Sequence, residues 1–262
     1  MQAQGLGVAA ISYDSRAVLE DFAKRRGITY PLLTDPDSSI IRSFGILNES
    51  VPKNSPFFGM AYPGTYIVTP DGVVTAKYFA QDYRERDTAG EILVRQFGLS
   101  EEADHQTADT KHLKLASSAS TDTASPGQRV ALILDLELKP KMHVYAPGVT
   151  GYIPVEWTLE SNPQIAADPV EYPPGRVVEL PVINEKVPVY TGQLRLIREI
   201  TVAQNASTPL VVKGSFRYQA CDDTQCYIPA TVPLQWTLRV EPLDRERVPA
   251  ELRRKPPSES RP

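Results

Sequence analysis

Two cysteines, Cys221 and Cys226, sit five positions apart in the segment YQACDDTQCYIP. A Cys-x4-Cys pair has three chemical uses: a metal half-site, a structural disulfide, or reversible thiol–disulfide exchange. Metal is poorly served, because the chain offers only three histidines to complete a four-ligand set. As a staple the pair is weak, since closing so short a loop contributes only about 1.5–2 kcal/mol by the chain-entropy argument. Exchange is also open to it, because neither redox state demands a large rearrangement. The structural and exchange readings both stay open on the residues alone. Asp222 and Asp223 lie between the cysteines, where negative charge disfavours a thiolate; equally, they serve simply to shape a turn. His143 is a tempting base, but reads more naturally as a partly buried, hydrogen-bonded histidine. Trp157 and Trp236 read as core.

The elements that must carry these residues differ between the two ends of the chain. Of the 24 prolines, 18 lie from Pro126 onward, whereas six of the seven phenylalanines precede residue 98. With 262 residues, two domains are expected. Gly5–Ile11 reads as a buried strand, Arg16–Arg26 as a helix capped by Ser15 and ended by Gly27, and Tyr30–Leu33 as a second strand. A short helix carries Ile40, Ile41 and Phe44. Strands at Thr65–Thr69 and Val73–Phe79 flank the turn Thr69-Pro70-Asp71-Gly72, and a helix of about Tyr83–Phe97 closes the series. This βαβαββα order predicts helices on both sides of a small mixed sheet over residues 1–98. Residues 99–128, rich in Ser, Thr, Asp and Ala, read as a flexible linker with a short ordered piece around His112–Leu115. From Arg129 to Glu241 period-two strands separated by Pro-, Gly- and Asn-bearing turns predict an antiparallel β-sandwich, and 242–262 a flexible tail.

The formal net charge of −4 argues against nucleic-acid binding. No apolar run approaches the roughly 18 residues of a membrane span. Met1–Gln4 shows neither a charged nor an apolar leader region, so no signal peptide is expected.

The blocks GVAAISYDS (7–15), FAKRRGITYPLLTDPDSSIIRSFGI (22–46) and GTYIVTPDGVV (64–74) resemble the redoxin (AhpC/TSA, thioredoxin-like) proteins. The resemblance implies a thioredoxin-like α/β domain, here without the preceding strand–helix unit that bears the family's nucleophilic cysteine. Residues 1–97 hold no cysteine, so peroxidase activity is not expected of this chain. An N-terminally truncated gene product is the expectation. Where peroxiredoxins tend to carry an arginine before the GT(F/Y) strand, this chain has Pro63, which resembles the cis-proline of thioredoxin-like folds.

A second resemblance runs through KMHVYAPGVTGYIPVEWTLE (141–160), YPPGRVVELPVINEKVPVYTGQ (172–193) and GSFRYQACDDTQCYIPATVPLQW (214–236). These look like the N-terminal domain of the thiol:disulfide interchange protein DsbD. That implies an immunoglobulin-like sandwich with a redox-active Cys221–Cys226 pair, in which Cys226 forms the intermolecular bond and Cys221 resolves it. It also implies an aromatic cap, best matched by Tyr190, with Glu185 as a nearby acid and Asp222, Asp223 and Tyr227 around the cysteines. The expected activity is cofactor-free thiol–disulfide exchange with a thioredoxin-like or other dithiol/disulfide protein; an upstream redoxin active site is an in-cis candidate. By resemblance the setting is periplasmic or otherwise extracytoplasmic. The alternatives are a non-enzymatic protein-binding sandwich stapled by a disulfide, and the remnant of a thiol peroxidase whose nucleophile lies upstream of Met1.

Overall fold

A computed structural model describes residues 5–79, 85–99, 106–180, 185–244 and 246–253. The chain divides into two compact units, residues 1–64 with 244–262, and residues 65–243.

In the first unit β1 (Ala10–Ser12) pairs in parallel with β2 (Leu32–Thr34) across the crossover helix α1 (Arg16–Arg26). Ser15 caps α1 by accepting from the Val18 N–H, and Gly27 ends it in the left-handed conformation at φ 62°. In α2 (Ser39–Ser43) the buried Asp35 carboxylate accepts from the Ile40 and Ile41 amides, satisfying N-terminal donors. Among the described residues of this unit, Ile41 is the one buried apolar side chain; Ile11, Phe22, Leu33, Ile40, Phe44 and Phe57 are exposed. This is a partial thioredoxin-like α/β segment.

The second unit begins with the hairpin β3 (Thr65–Val68) and β4 (Val74–Tyr78), then β5 (Arg86–Asp87) and α3 (Ala89–Phe97). The hairpin pairs only with itself among the described residues, so the single mixed sheet expected over 1–98 is instead two separate two-stranded ribbons. The expected start of the last helix near Tyr83 falls partly outside the described residues; the helix itself starts after Thr88, whose hydroxyl caps the Glu91 N–H.

Next come β6 (Gln106–Asp109), β7 (Leu113–Ala119), β8 (Thr123–Ala124), β9 (Gln128–Leu138), β10 (His143–Tyr145), β11 (Glu156–Leu159) and β12 (Ile165–Ala167). They are followed by β13 (Arg176–Leu180), β14 (Glu185–Thr191), β15 (Gln193–Val202), β16 (Leu210–Tyr218), β17 (Ala220–Cys221) and β18 (Ala230–Val240). One sheet runs β12-β15-β9-β7-β6 with β5 added beside β9; a second runs β11-β16-β18-β8; a third, smaller one runs β13-β14-β10-β17. The all-β immunoglobulin-like sandwich encloses one core, in which Leu132, Leu134, Leu196, Phe216, Leu234 and Trp236 meet. Trp157 and Trp236 stack within it at 5.7 Å, as expected of core residues.

The linker assigned to 99–128 is corrected from residue 106 onward; residues 100–105 lie outside the described residues. Strands β6, β7 and β8 belong to the sandwich. Their serines are small enough to bury between sheets, and each finds a polar partner: Ser120 Oγ accepts from the Ala131 N–H at 3.0 Å, and the Ser118 carbonyl accepts from Trp236 Nε1 at 2.8 Å. Helix α3, expected in the α/β domain, covers the outer face of β9, where Val94 packs on Ala131 and Ile133. The tail expected at 242–262 is described only in part, with a short 3-10 turn at Ala250–Leu252. No described helix is long and apolar enough to cross a membrane.

Pro63 is not preceded by a cis peptide. Among the described residues the cis bond lies at Thr208–Pro209. The trans form is the default for X–Pro, and the chain approaches β3 at Pro63 without a tight turn that would require the other isomer.

Candidate functional site

Cys221 and Cys226 form a disulfide, with Cys221 at the end of β17 and Cys226 bridged back to it across a short turn. Asp222 builds that turn. Its Oδ1 accepts from the Thr224 and Gln225 amides at 2.7 and 2.9 Å, and its Oδ2 accepts from Tyr227 Oη at 2.7 Å. These bonds, that from Tyr227 foremost, hold the carboxyl well below the usual carboxylate range. Asp222 is thus a turn-former, as one of its two sequence readings held. Tyr227 braces the turn from behind, with the His112 ring 4.6 Å away and Lys111 Nζ over its face. Asp223 is exposed at the tip.

Strand β10 lies beside β17, with His143 opposite Cys221 and Val144 opposite Ala220. Alternation along HVY then sends Val144 into the sandwich core and His143 and Tyr145 to the cysteine face. Tyr145 Oη lies 3.5 Å from Cys221 Sγ and 3.6 Å from Cys226 Sγ. Disulfide sulfurs carry no hydrogen, so the hydroxyl is the donor. Tyr152 stacks on Tyr145 at 4.5 Å and donates from Oη to Glu185 Oε2 at 2.7 Å. That bond, more than burial, pushes the Tyr152 hydroxyl up to about 12. Burial and then Glu185 raise Tyr145 as well. The result is a line of acceptor, phenol, phenol and disulfide.

Cys221 is 1% exposed, whereas Cys226 faces solvent. The pair forms one wall of an open cavity of about 680 Å³. Met142, His143, Tyr145, Val178 and Val189 give it an apolar lining.

Tyr190 does not cap the cysteines. Register on β14 sets it opposite Val144, facing the sandwich core, where it is buried and donates to the Pro173 carbonyl at 2.6 Å. Its neighbours Val189 and Thr191 take the cavity face instead. The aromatic against the sulfur atoms is Tyr145, with Tyr152 stacked on it. The sequence signal for Tyr145 is the alternation HVY, but its partner strand is set by the register. His143 is buried as expected, yet its Nε2 has no hydrogen-bond partner. Pro63 belongs to the first unit and forms no part of this site.

The site is a strand-borne cysteine pair in an immunoglobulin-like sandwich, beside an open cavity. Residues 112–235 match the family described as thiol:disulfide interchange protein DsbD, N-terminal, and residues 1–77 match the AhpC/TSA family. Two successive segments of the chain are thus similar to two different families. Alkyl hydroperoxide reductase C of Staphylococcus aureus is 32% identical over 93 residues, which cover 34% of this chain and 46% of that protein. The chain thus spans about half the length of the curated relatives it matches. Among solved structures, the N-terminal periplasmic domain of ScsB from Proteus mirabilis aligns with a TM-score of 0.39 and 16% identity, covering 52% of this chain and 51% of that one. The reduced N-terminal domain of DsbD from Neisseria meningitidis aligns at 0.31 and 11%, covering 42% and 78%.

Proposed function

We infer that residues 65–243 carry out thiol–disulfide exchange through a reversible Cys221–Cys226 bond, with a thioredoxin-like dithiol protein as partner. The observation that carries this is the asymmetry of the pair: one sulfur is exposed at a cavity rim and the other is buried beneath a phenol. Only Cys226 is open to in-line attack by an external thiolate, so it makes the mixed disulfide and Cys221 resolves it. The apolar cavity gives the partner's active-site loop a surface to rest on, and Tyr145 supplies a hydrogen bond to whichever sulfur becomes a thiolate. An extracytoplasmic setting suits a chain whose working bond is a disulfide.

The test is a pair of single-cysteine variants mixed with an oxidised thioredoxin-like protein. Cys221→Ser is expected to accumulate a covalent mixed disulfide through Cys226, and Cys226→Ser to accumulate almost none. If the wild-type pair stays oxidised below about −300 mV and neither variant is captured, the bond is a staple and exchange is not its role.

A further inference from the structure

We propose that His143 receives the proton of the Cys221 thiol as Cys221 resolves the mixed disulfide; the inference rests on the exchange reading above. His143 and Cys221 are directly opposed across the β10–β17 ladder, which sets their Cβ atoms on one face about 5 Å apart. Both line the same cavity wall, and Tyr145, two residues on from His143, reaches the sulfur from that same face. His143 is 7% exposed, and its Nε2 is buried without a partner while the disulfide is closed. Leaving a buried polar nitrogen unpaired is unfavourable, so a state that pairs it is favoured. Opening the disulfide creates one candidate partner on this face, the Cys221 thiol.

The charge setting agrees. Burial lowers the proton affinity of His143, outweighing the opposing pull of Asp223 and Asp222, so the imidazole is neutral and able to accept a proton near pH 7. The other charged groups lining the cavity are Lys139, Lys141 and Glu179. Lys139 is engaged away from the ring, by Asp109 Oδ1 at 2.9 Å and the Thr110 carbonyl.

Exchange begins when the Cys226 thiolate attacks a partner disulfide, forming the mixed disulfide and releasing one partner thiolate. His143 Nε2 then takes the Cys221 proton, and the Cys221 sulfur attacks Cys226 Sγ. The Cys221–Cys226 bond forms, the bond from Cys226 to the partner breaks, and the second partner thiolate leaves. His143 returns its proton to that thiolate or to water. The chain's dithiol is oxidised by two electrons and the partner disulfide is reduced; the reverse direction retraces the same steps.

The reduced full-length chain mixed with one equivalent of the chromogenic disulfide dithiobis(nitrobenzoate) separates the two attacks. The first release of coloured thiolate reads Cys226 and the second reads Cys221. A thiol of ordinary pKa is only about 3% ionised at pH 7, so a base can speed its attack by at most about thirtyfold. His143→Phe keeps the ring contact with Tyr145 and lacks the nitrogen. It is expected to leave the first phase unchanged and slow the second about ten- to thirtyfold at pH 7, with the deficit vanishing near pH 10. His143→Gln, which is polar but not basic, should behave alike and serves if the Phe variant does not fold. An unchanged second phase overturns the proposal, as does a deficit of equal size at both pH values. So does a wild-type second phase whose pH midpoint is that of an ordinary thiol. Absence of the first phase in the wild type sinks the exchange reading itself, and this inference with it.

Discussion

Gly90 offers a test in which the sign of the result decides. It lies in the first turn of α3, and a Cβ built on it would stand 1.8 Å from the carbonyl oxygen of Ser120 and 2.8 Å from its carbonyl carbon. Ser120 cannot retreat, because its N–H donates to the Ala131 carbonyl at 2.8 Å while its hydroxyl accepts from the Ala131 amide. In Gly90→Ala the helix must therefore lift from the sheet by more than an ångström. Ile92, Leu93 and Val94, all at most 5% exposed, anchor the helix. Losing their burial altogether would cost about 2 kcal/mol each, about 6 kcal/mol in all, and overpacking with partial relief typically costs 1–3 kcal/mol. Against this stands the helix propensity of alanine over glycine, a gain of up to about 1 kcal/mol. The net expectation is a loss of up to about 5 kcal/mol, about 1–2 kcal/mol where relief is partial, which lowers the melting temperature by about 2–8 °C for a unit of this size. Trp157 and Trp236 sit in the sandwich core and report its unfolding by fluorescence as denaturant is added. Were α3 an element of a separate α/β domain, the same substitution would be neutral or would stabilise its own helix, leaving the tryptophan transition where it was. That outcome refutes the docking of α3 on β9.

Two further outcomes follow from the same geometry. Tyr145→Phe removes the hydroxyl from both sulfur atoms while keeping the stacked ring, so Cys226 attack should slow about tenfold at pH 7, the worth of one hydrogen bond to a charged group, with the melting temperature little changed; stopped-flow exchange with a small disulfide reads it. Glu91 is buried beside Glu199 and Asp87, and burial first, then those two charges, push its carboxyl up to about 8 despite its ion pair with Arg95. The folded chain then holds a proton that the unfolded chain releases above the ordinary carboxylate range. This contribution is full at acid pH and is lost as pH rises toward 8, by at most about 1.4 kcal/mol per unit. Glu91→Gln should flatten that fall between pH 5 and 8, and chemical denaturation across the range would show an unaltered slope if the argument is wrong.

Much of this fold was legible because local rules agree with it. Helix α1 occupies the residues its Ser15 and Gly27 caps delimit, and the sandwich strands β16 and β18 follow their alternation. Where the reading failed, the deciding term was tertiary. Val130–Leu134 shows no alternation because α3 covers its second face, a contact no window of sequence displays. The serines at the end of β7 and just after it carry linker composition, yet they bury: the Ser120 hydroxyl accepts from β9 and the Ser118 carbonyl from Trp236 of β18. At the site the cysteines and Asp222 announce themselves by type and spacing. Tyr145 and His143 do not, since a one-residue slip of β10 would point them into the core and Val144 at the disulfide. The same parity argument explains why Tyr190, an aromatic at the right distance along the chain, faces away.

The turn between the cysteines has a kinetic meaning. Asp222 accepts two hydrogen bonds from Thr224, one from Gln225 and one from the Tyr227 hydroxyl, while the Asp222 amide donates to the Gln225 carbonyl. None of these passes through sulfur, so the loop keeps its shape when the S–S bond opens. On the exchange reading proposed above, Cys221 stays beside Cys226 after the bond opens, at an effective molarity that no diffusing thiol of the surrounding medium can match. On that reading, intermediates captured on Cys226 in the intact pair are expected to be short-lived, and the partner's own affinity for electrons is expected to decide which way they flow.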